Sequence, residues 1–297
     1  MRANPTLIRR CRTGHIRDLQ DELRQTSVPL RTSLSKGFGL IQRFSEDLDF
    51  KVLLPEGEVN RSRRRKYRQQ LIDAIEQQGS WRVPRDHIER RNESRFFSCR
   101  IDYDPVFQPA VVLRPHVKLE VSFRAPALPT QARPVQSFIT QAEQTGPEVD
   151  SIACVSPAET AADKLSALTW RVLTRERGSE RDDPTLIRHL HDLASLEAEA
   201  AAENGFSNLL YQLLEQDADR GTLPANRSDL VELQGTERVK VALDLMAQDP
   251  EYAREYEDFV MSMSYAADPG IPSFKQALEA AYRLKEYTTN PKPPGPN

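Results

Sequence analysis

Ser45-Glu46-Asp47-Leu48-Asp49-Phe50-Lys51-Val52 alternates polar and apolar side chains almost residue by residue. A strand turns successive side chains to opposite faces. Leu48, Phe50 and Val52 therefore share one face, and Asp47 and Asp49 share the other. The reading is a half-buried strand over residues 46–53, broken by Pro55 and Gly57. The alternation returns twice downstream. Phe97, Cys99, Ile101 and Tyr103 line one side of 95–104. Val117, Leu119, Val121 and Phe123 line one side of 117–124, with Lys118, Glu120 and Ser122 opposite. Between the first and second strands a basic helix is expected, with Tyr67, Leu71, Ile72 and Ile75 on its inner face. A Pro-rich stretch, 125–134, then leads to a short apolar strand at 152–155.

The character changes at Ser156-Pro157-Ala158-Glu159, which combines a cap, a proline at the first helical position and a Glu spaced for a capping box. A helix follows to about Leu173. A charged loop, 174–181, precedes a second start signal, Asp183-Pro184, and a buried stripe of Leu186, Ile187, Leu190 and Leu193. The rest reads as helix, with breaks near Gly221, Pro224 and Pro250. The expected fold class is α+β: a small mixed sheet with helices, followed by an all-helical part. The expected boundaries are an atypical N-terminal segment 1–31 with a polar helix near 16–24, a core 32–155, a helical domain 156–288, and a disordered tail 289–297 rich in proline.

Composition narrows the classes. The chain has 297 residues, enough for one large domain or two ordinary ones. It carries no apolar run approaching the roughly 20 residues of a membrane span and no secretory signal. Cys11, Cys99 and Cys154 form no metal-like pair and leave an odd thiol, so a reducing cytoplasm is the expected setting. The formal net charge is only -3, yet residues 61–100 hold 12 Lys/Arg against 5 Asp/Glu. A local basic block of this kind suits a polyanion.

Asp47 and Asp49 carry the strongest chemical signal. Two carboxylates on one strand face repel each other unless a cation lies between them. Mg2+ suits the position, because it takes oxygen ligands and shares them with substrate phosphates. A solvated strand face is the plainer reading of the same two residues. Ser33, Ser35 and Lys36 lie just upstream, where hydroxyls, backbone amides and an ammonium could hold a triphosphate. Glu120 offers a third carboxylate from another strand, or an exposed strand residue. In the run 61–68, Arg63, Arg64, Arg65 and Lys66 either grip RNA phosphates or form the solvated face of a helix. His189 and His191 lack the further ligands that zinc needs.

Thr32-Ser33-Leu34-Ser35-Lys36, Gly39-Leu40 and Arg43-Phe44-Ser45-Glu46-Asp47-Leu48-Asp49 together resemble the first motif of the AbiEii/AbiGii-type nucleotidyltransferase toxins. These belong to the DNA polymerase β-like nucleotidyltransferase superfamily, and the toxins called MenT are relatives. Val117-Lys118-Leu119-Glu120-Val121 resembles the second motif strand. Glu159, Ala162, Lys164, Leu165 and Ala167-Leu168 resemble the helix bearing the family's active-site Lys. Arg188-His189-Leu190-His191-Asp192-Leu193 resembles the later element with a functional Asp, and Pro272-Ser273-Phe274 with Ala277-Leu278 the C-terminal helix. The resemblance covers about residues 32–285.

It implies an NTP held by Thr32, Ser33, Ser35, Lys36 and Ser45, Mg2+ on Asp47 and Asp49, and Glu120 as third acidic ligand or base. It gives Lys164 the task of neutralising phosphate charge in the transition state. It makes Asp192 functional; helical spacing sets Asp192 with Arg188 and Ser195 opposite the Leu stripe, where it could point into a cleft, and an exposed helix face is the plainer reading of both Lys164 and Asp192. The implied reaction moves a nucleotide from an NTP to RNA, a tRNA acceptor end, in a toxin-antitoxin or phage-defence system whose antitoxin is the functional partner. One departure counts the other way. Family members place Gly-Gly before the Thr, where this chain has Leu30-Arg31. Glycines let backbone approach the phosphates. Their replacement implies an alternative: a degenerate descendant that binds nucleotide or RNA without transfer.

Overall fold

In the computed structural model, residues 26–27, 31–45, 47–52, 60–105, 114–180, 182–218, 233–266 and 270–287 are described. Leu30, Glu46, the 16–24 segment and the C-terminal tail, on which some of the expectations fall, lie outside them. The chain divides into two compact units. One comprises Met1–Gly39 and Ser45–Val155, the other Leu40–Phe44 and Ser156–Asn297.

The first unit is built on a six-stranded mixed sheet. Its strands are β1 (Thr26–Ser27), β2 (Asp47–Val52), β3 (Trp81–Arg82), β4 (Ile88–Arg91), β5 (Phe96–Tyr103) and β6 (His116–Ser122). The order is β1-β2-β6-β5-β3, with β4 also pairing β5. β2 and β6 run parallel, and every other pair is antiparallel. The alternation read from sequence decides the faces. Val52, Phe97, Cys99, Ile101, Leu119 and Val121 point to a core shared with Leu71, Ile72 and Ile75 of helix α2 (Arg61–Gln77). Fully burying a side chain such as Phe97 or Ile72 contributes about 1.5–3 kcal/mol. Helix α2 starts where Asn60 accepts a hydrogen bond from the Arg63 amide at 2.9 Å.

The short strands β1, β3 and β4 were not read from the sequence, and neither were further elements around the sheet. A short helix α1 (Arg31–Lys36) carries Ser33, Ser35 and Lys36. The Pro-rich stretch contains strand β7 (Gln131–Val135), which pairs antiparallel with β8 (Val149–Cys154). Pro134 has no amide hydrogen to donate, and the register shifts there, between Arg133 and Val135. Helix α3 (Phe138–Ala142) follows, capped by Ser137. Val149, Ile152 and Cys154 form a small second core, against which Phe38, Leu48, Phe50 and Val135 pack.

The second unit is helical. Helix α4 (Pro157–Leu173) begins on Ser156, whose hydroxyl accepts from the Ala158 amide at 3.2 Å. A 3-10 turn, Pro184–Ile187, leads into α5 (Arg188–Ala202), followed by α6 (Phe206–Ala218), α7 (Gly235–Gln248), α8 (Pro250–Met263) and α9 (Phe274–Glu286). Leu165, Leu168, Leu190, Leu193, Leu210, Met246 and Leu284 are fully buried at its centre. Asp249 caps α8 ahead of Pro250, and Ser273 with Gln276 forms a capping box on α9. The charged loop after α4 is not a loose connector. Arg175 grips Glu255 of α8 through two hydrogen bonds of 2.7 Å and Asp182 through one of 2.8 Å. Arg177 reaches Glu255 and Asp249 and lies over the Tyr252 ring. Among the described residues no helix is long and apolar enough to cross a membrane.

Residues 40–44 leave the first unit to pair with the end of α8. The Phe44 amide donates to the Met263 carbonyl at 2.9 Å, and the Tyr265 amide to the Gln42 carbonyl at 3.0 Å.

Candidate active site

The expected site residues divide between the two units: Ser33, Ser35, Lys36, Ser45, Asp47, Asp49 and Glu120 in the first, Lys164 and Asp192 in the second.

In the first unit the parallel pairing of β2 with β6 sets Asp47 beside Lys118 and Asp49 beside Glu120. The next strand continues both rows with Arg100 and Ser98. One row thus sets an acid beside two bases, and the other sets two acids side by side. Lys118 pairs with Glu120 at 2.7 Å, and Arg114 stands 3.5 Å from Asp47 Oδ1. Asp47 Oδ1 and Asp49 Oδ2 are both shielded from solvent. Ser45, just ahead of β2, donates its hydroxyl to the Asp47 carbonyl at 3.4 Å.

The donor set of Asp47 and Asp49 fits Mg2+. Both supply hard carboxylate oxygens from one strand face, and Mg2+ completes its shell with water and substrate phosphates rather than with an all-protein cage. Among the described residues no group of three or more His, Cys, Asp or Glu is arranged to hold a metal. Glu120 is in register beside Asp49, but its carboxylate is engaged by Lys118 instead of closing a three-acid cluster. The same holds for His189 and His191, which are buried in α5 without assembling such a group.

Helix α1 packs against β2 and β7. It ends where the Gly37 and Phe38 amides both donate to the Ser33 carbonyl at 2.8 Å. Gly39 has φ +68, a left-handed conformation that a side chain resists. Ser33 is buried, and Ser35 is half-buried. The Thr32 side chain lies outside the described set. Lys36 places Nζ over the Phe138 ring, shielded and without a hydrogen bond among the described residues. Burial lowers its pKa to about 8, with Glu148 opposing the shift. Arg133 of β7, not anticipated, lies over the Phe38 ring at 4.7 Å. Two cations are therefore held on aromatic faces beside the Gly37 turn.

In the second unit Asp192 is 0% exposed. Arg43 clasps it bidentately, Nε to Oδ1 and Nη2 to Oδ2, both at 2.7 Å. Lys164 Nζ donates to Oδ2 at 2.6 Å, and His191 Nδ1 stands 3.4 Å from Oδ1. The expectation that Asp192 points into a cleft is corrected here: its carboxylate faces Arg43 and Lys164 inside the unit. The segment 40–44 delivers Arg43 from 149 residues away, a contact that no helical period reveals. Arg43 stood in the first motif without a role, and its position there was the only signal.

Burial alone would push the Asp192 carboxyl up, but Arg43 and Lys164 overcome it and hold it well below the usual carboxylate range. A depressed carboxyl stabilises the fold above its unfolded pKa of about 3.9, and that stability disappears as pH falls through the folded value. The window therefore lies below about pH 4. Acid titration of helical circular dichroism should show wild type keeping this contribution down to about pH 4. In Asp192→Asn the pH-dependent part below it should be missing; an unchanged acid profile would mean the two cations do not hold the carboxylate.

Arg64 also departs from expectation. It is buried, and its Nη2 donates to the Glu93 carbonyl at 3.0 Å. Arg63, Arg65 and Lys66 are exposed.

The family described as nucleotidyl transferase AbiEii toxin, type IV TA system, matches residues 32–280. Among solved structures, the chain is similar to MenT4, a nucleotidyltransferase toxin from Mycobacterium tuberculosis H37Rv. The identity is 18% and the TM-score 0.45, over 86% of this chain and 85% of that one. No curated protein matches.

Proposed function

From the premise that the chain belongs to the AbiEii nucleotidyltransferase toxin family, we propose that it transfers a nucleotide from an NTP to RNA in the presence of Mg2+. The acceptor we assign is the 3′ end of a tRNA, and the functional partner is the antitoxin of a type IV toxin-antitoxin system. The observation that carries this reading is the β2–β6 register, which sets Asp47, Asp49 and Glu120 on the polar face of one sheet.

Asp47 and Asp49 are the residues that would hold the metal, which when bound neutralises phosphate charge and makes the attacking hydroxyl more acidic. The RNA hydroxyl oxygen bonds to the α-phosphorus, the bridging bond between α- and β-phosphates breaks, and pyrophosphate leaves. Glu120 is assigned the hydroxyl proton. Ser33, Ser35, Lys36 and Ser45, with Thr32, bind the triphosphate, and Arg133 joins them from β7. Lys164 offsets the charge that builds on the phosphoryl oxygens. Asp192 is a positioning residue that holds Lys164 and Arg43 in place. On α2, Arg63, Arg65 and Lys66 attract the RNA backbone, while Arg64 braces the turn at Glu93.

The test is incubation of the purified protein with total tRNA, Mg2+ and each α-labelled NTP in turn. Label on tRNA with one NTP, abolished by chelation, is the expected result; no transfer from any NTP overturns it. RNA binding is checked separately. Arg63, Arg65 and Lys66 changed together to Gln should flatten the salt dependence of tRNA binding, by about 0.7–0.9 in slope for each phosphate no longer neutralised. NTP binding should persist. An identical slope would reduce these residues to a solvated helix face.

A further inference from the structure

We propose that Arg65, Arg68 and Arg90 form a built docking site for one backbone phosphate of the RNA, an inference that rests on the RNA reading above. Arg68 lies on the inner side of α2, one turn beyond Arg64, and is only 8% exposed. Its guanidinium stands over the Phe97 ring, 5.9 Å from the centroid. Phe97 pairs across β5 and β4 with Arg90, so Arg90 rises on the sheet face that α2 covers. Arg65 precedes Arg68 by three residues and neighbours it on the helix surface. Burial first, and then the positive charges of Arg90 and Arg65, weaken the hold of Arg68 on its proton.

Three guanidinium groups thus converge, and among the described residues none of them pairs with a carboxylate. Glu89 accepts instead from Arg91, Asp73 from Gln69, and the Glu93 carbonyl from Arg64. Arg68 Nη1 is shielded from solvent and makes no hydrogen bond among the described residues. A buried charged donor without an acceptor is unfavourable, and like charges add to the penalty. A phosphate oxyanion removes both defects, because its oxygens match the planar fork of Arg.

The turn beside the site is tied to the helix. Asn92, Glu93 and Ser94 hold φ of 51, 53 and 64 in the β4–β5 turn, and Arg64 fastens that turn to α2. Exposed Arg61, four residues before Arg65, continues the positive charge along the same helix face. A chain of phosphates suits that line better than a single free anion does. The phosphodiester backbone is therefore the ligand assigned.

The experiment compares wild type with Arg68→Lys and with the double variant Arg65→Gln/Arg90→Gln, using labelled tRNA, an NTP and inorganic phosphate as separate probes. Arg68→Lys keeps the charge and loses the fork, so diffuse attraction would not register it. A built site predicts tRNA binding weakened about tenfold or more with its salt slope unchanged. The double variant, at exposed positions, should weaken binding comparably and lower the slope by about 0.7–0.9. It decides the matter if Arg68→Lys does not fold. NTP binding should be unaffected in both. Wild-type tRNA affinity in every folded variant overturns the site while leaving the RNA reading intact. A loss confined to NTP or inorganic phosphate overturns it as an RNA site. A wild type that binds no tRNA overturns the RNA reading and the site together.

Discussion

Asp49→Asn should reduce nucleotide transfer by at least about a hundredfold while the protein melts where wild type does. Asn keeps the shape of Asp and its place on β2, so Leu48, Phe50 and Val52 still meet the core. What changes is charge. Asp49 stands in register with Glu120, and Asp47 lies two residues before it on the same face. Removing one of the two paired aspartate charges relieves repulsion, which argues against any loss of stability. It also removes half of the charged donor set that Mg2+ requires. The change in rate therefore reports on the reaction and not on the fold. Glu120→Gln should have a smaller effect, since Lys118 already neutralises that carboxylate at 2.7 Å. Full transfer by a folded Asp49→Asn protein would end the assignment of this strand as the metal site.

Asp192→Ala should destabilise the helical unit by about 3–5 kcal/mol, the usual consequence of removing one partner from a buried ion pair. Arg43 and Lys164, 6% and 4% exposed as side chains, would both lose the buried carboxylate they share. For a unit of this size the loss corresponds to about 10 °C or more in melting temperature. The order of effects separates this cluster from an ordinary surface pair. Lys164→Met leaves Asp192 clasped by Arg43 through two bonds of 2.7 Å, so it should cost less stability while still impairing transfer. Urea unfolding of both variants, followed by circular dichroism, measures the difference. Equal stability in Asp192→Ala and wild type would show that the cluster does not hold α4, α5 and the 40–44 segment together.

The strands β2, β5 and β6 and the faces they present were legible in the sequence, because a period of two is a local property of the chain. So was the switch to helices at Ser156-Pro157, where a hydroxyl acceptor and a preset φ act on the next few residues only. The inner face of α2 was read correctly for Tyr67, Leu71, Ile72 and Ile75, and incompletely for Arg64 and Arg68. Basic residues are ordinarily expected on the solvent side. These two extend the buried stripe because Glu93 and Phe97 receive their guanidinium groups.

What the amino-acid sequence determined by itself is whatever depends on neighbours along the chain: alternation, caps, breaks, and the pairing of Asp47 with Asp49 on one face. Only the tertiary structure decided which distant residues meet. Asp49 lies beside Glu120 because β2 and β6, far apart in the chain, pair in parallel with this register. Asp192 meets Lys164 because α4 packs on α5, and it meets Arg43 because the short strap Leu40–Phe44 belongs to the helical unit. Such contacts depend on the path of the backbone and on the burial it creates. A buried carboxylate retains its charge only where that path brings cations to meet it.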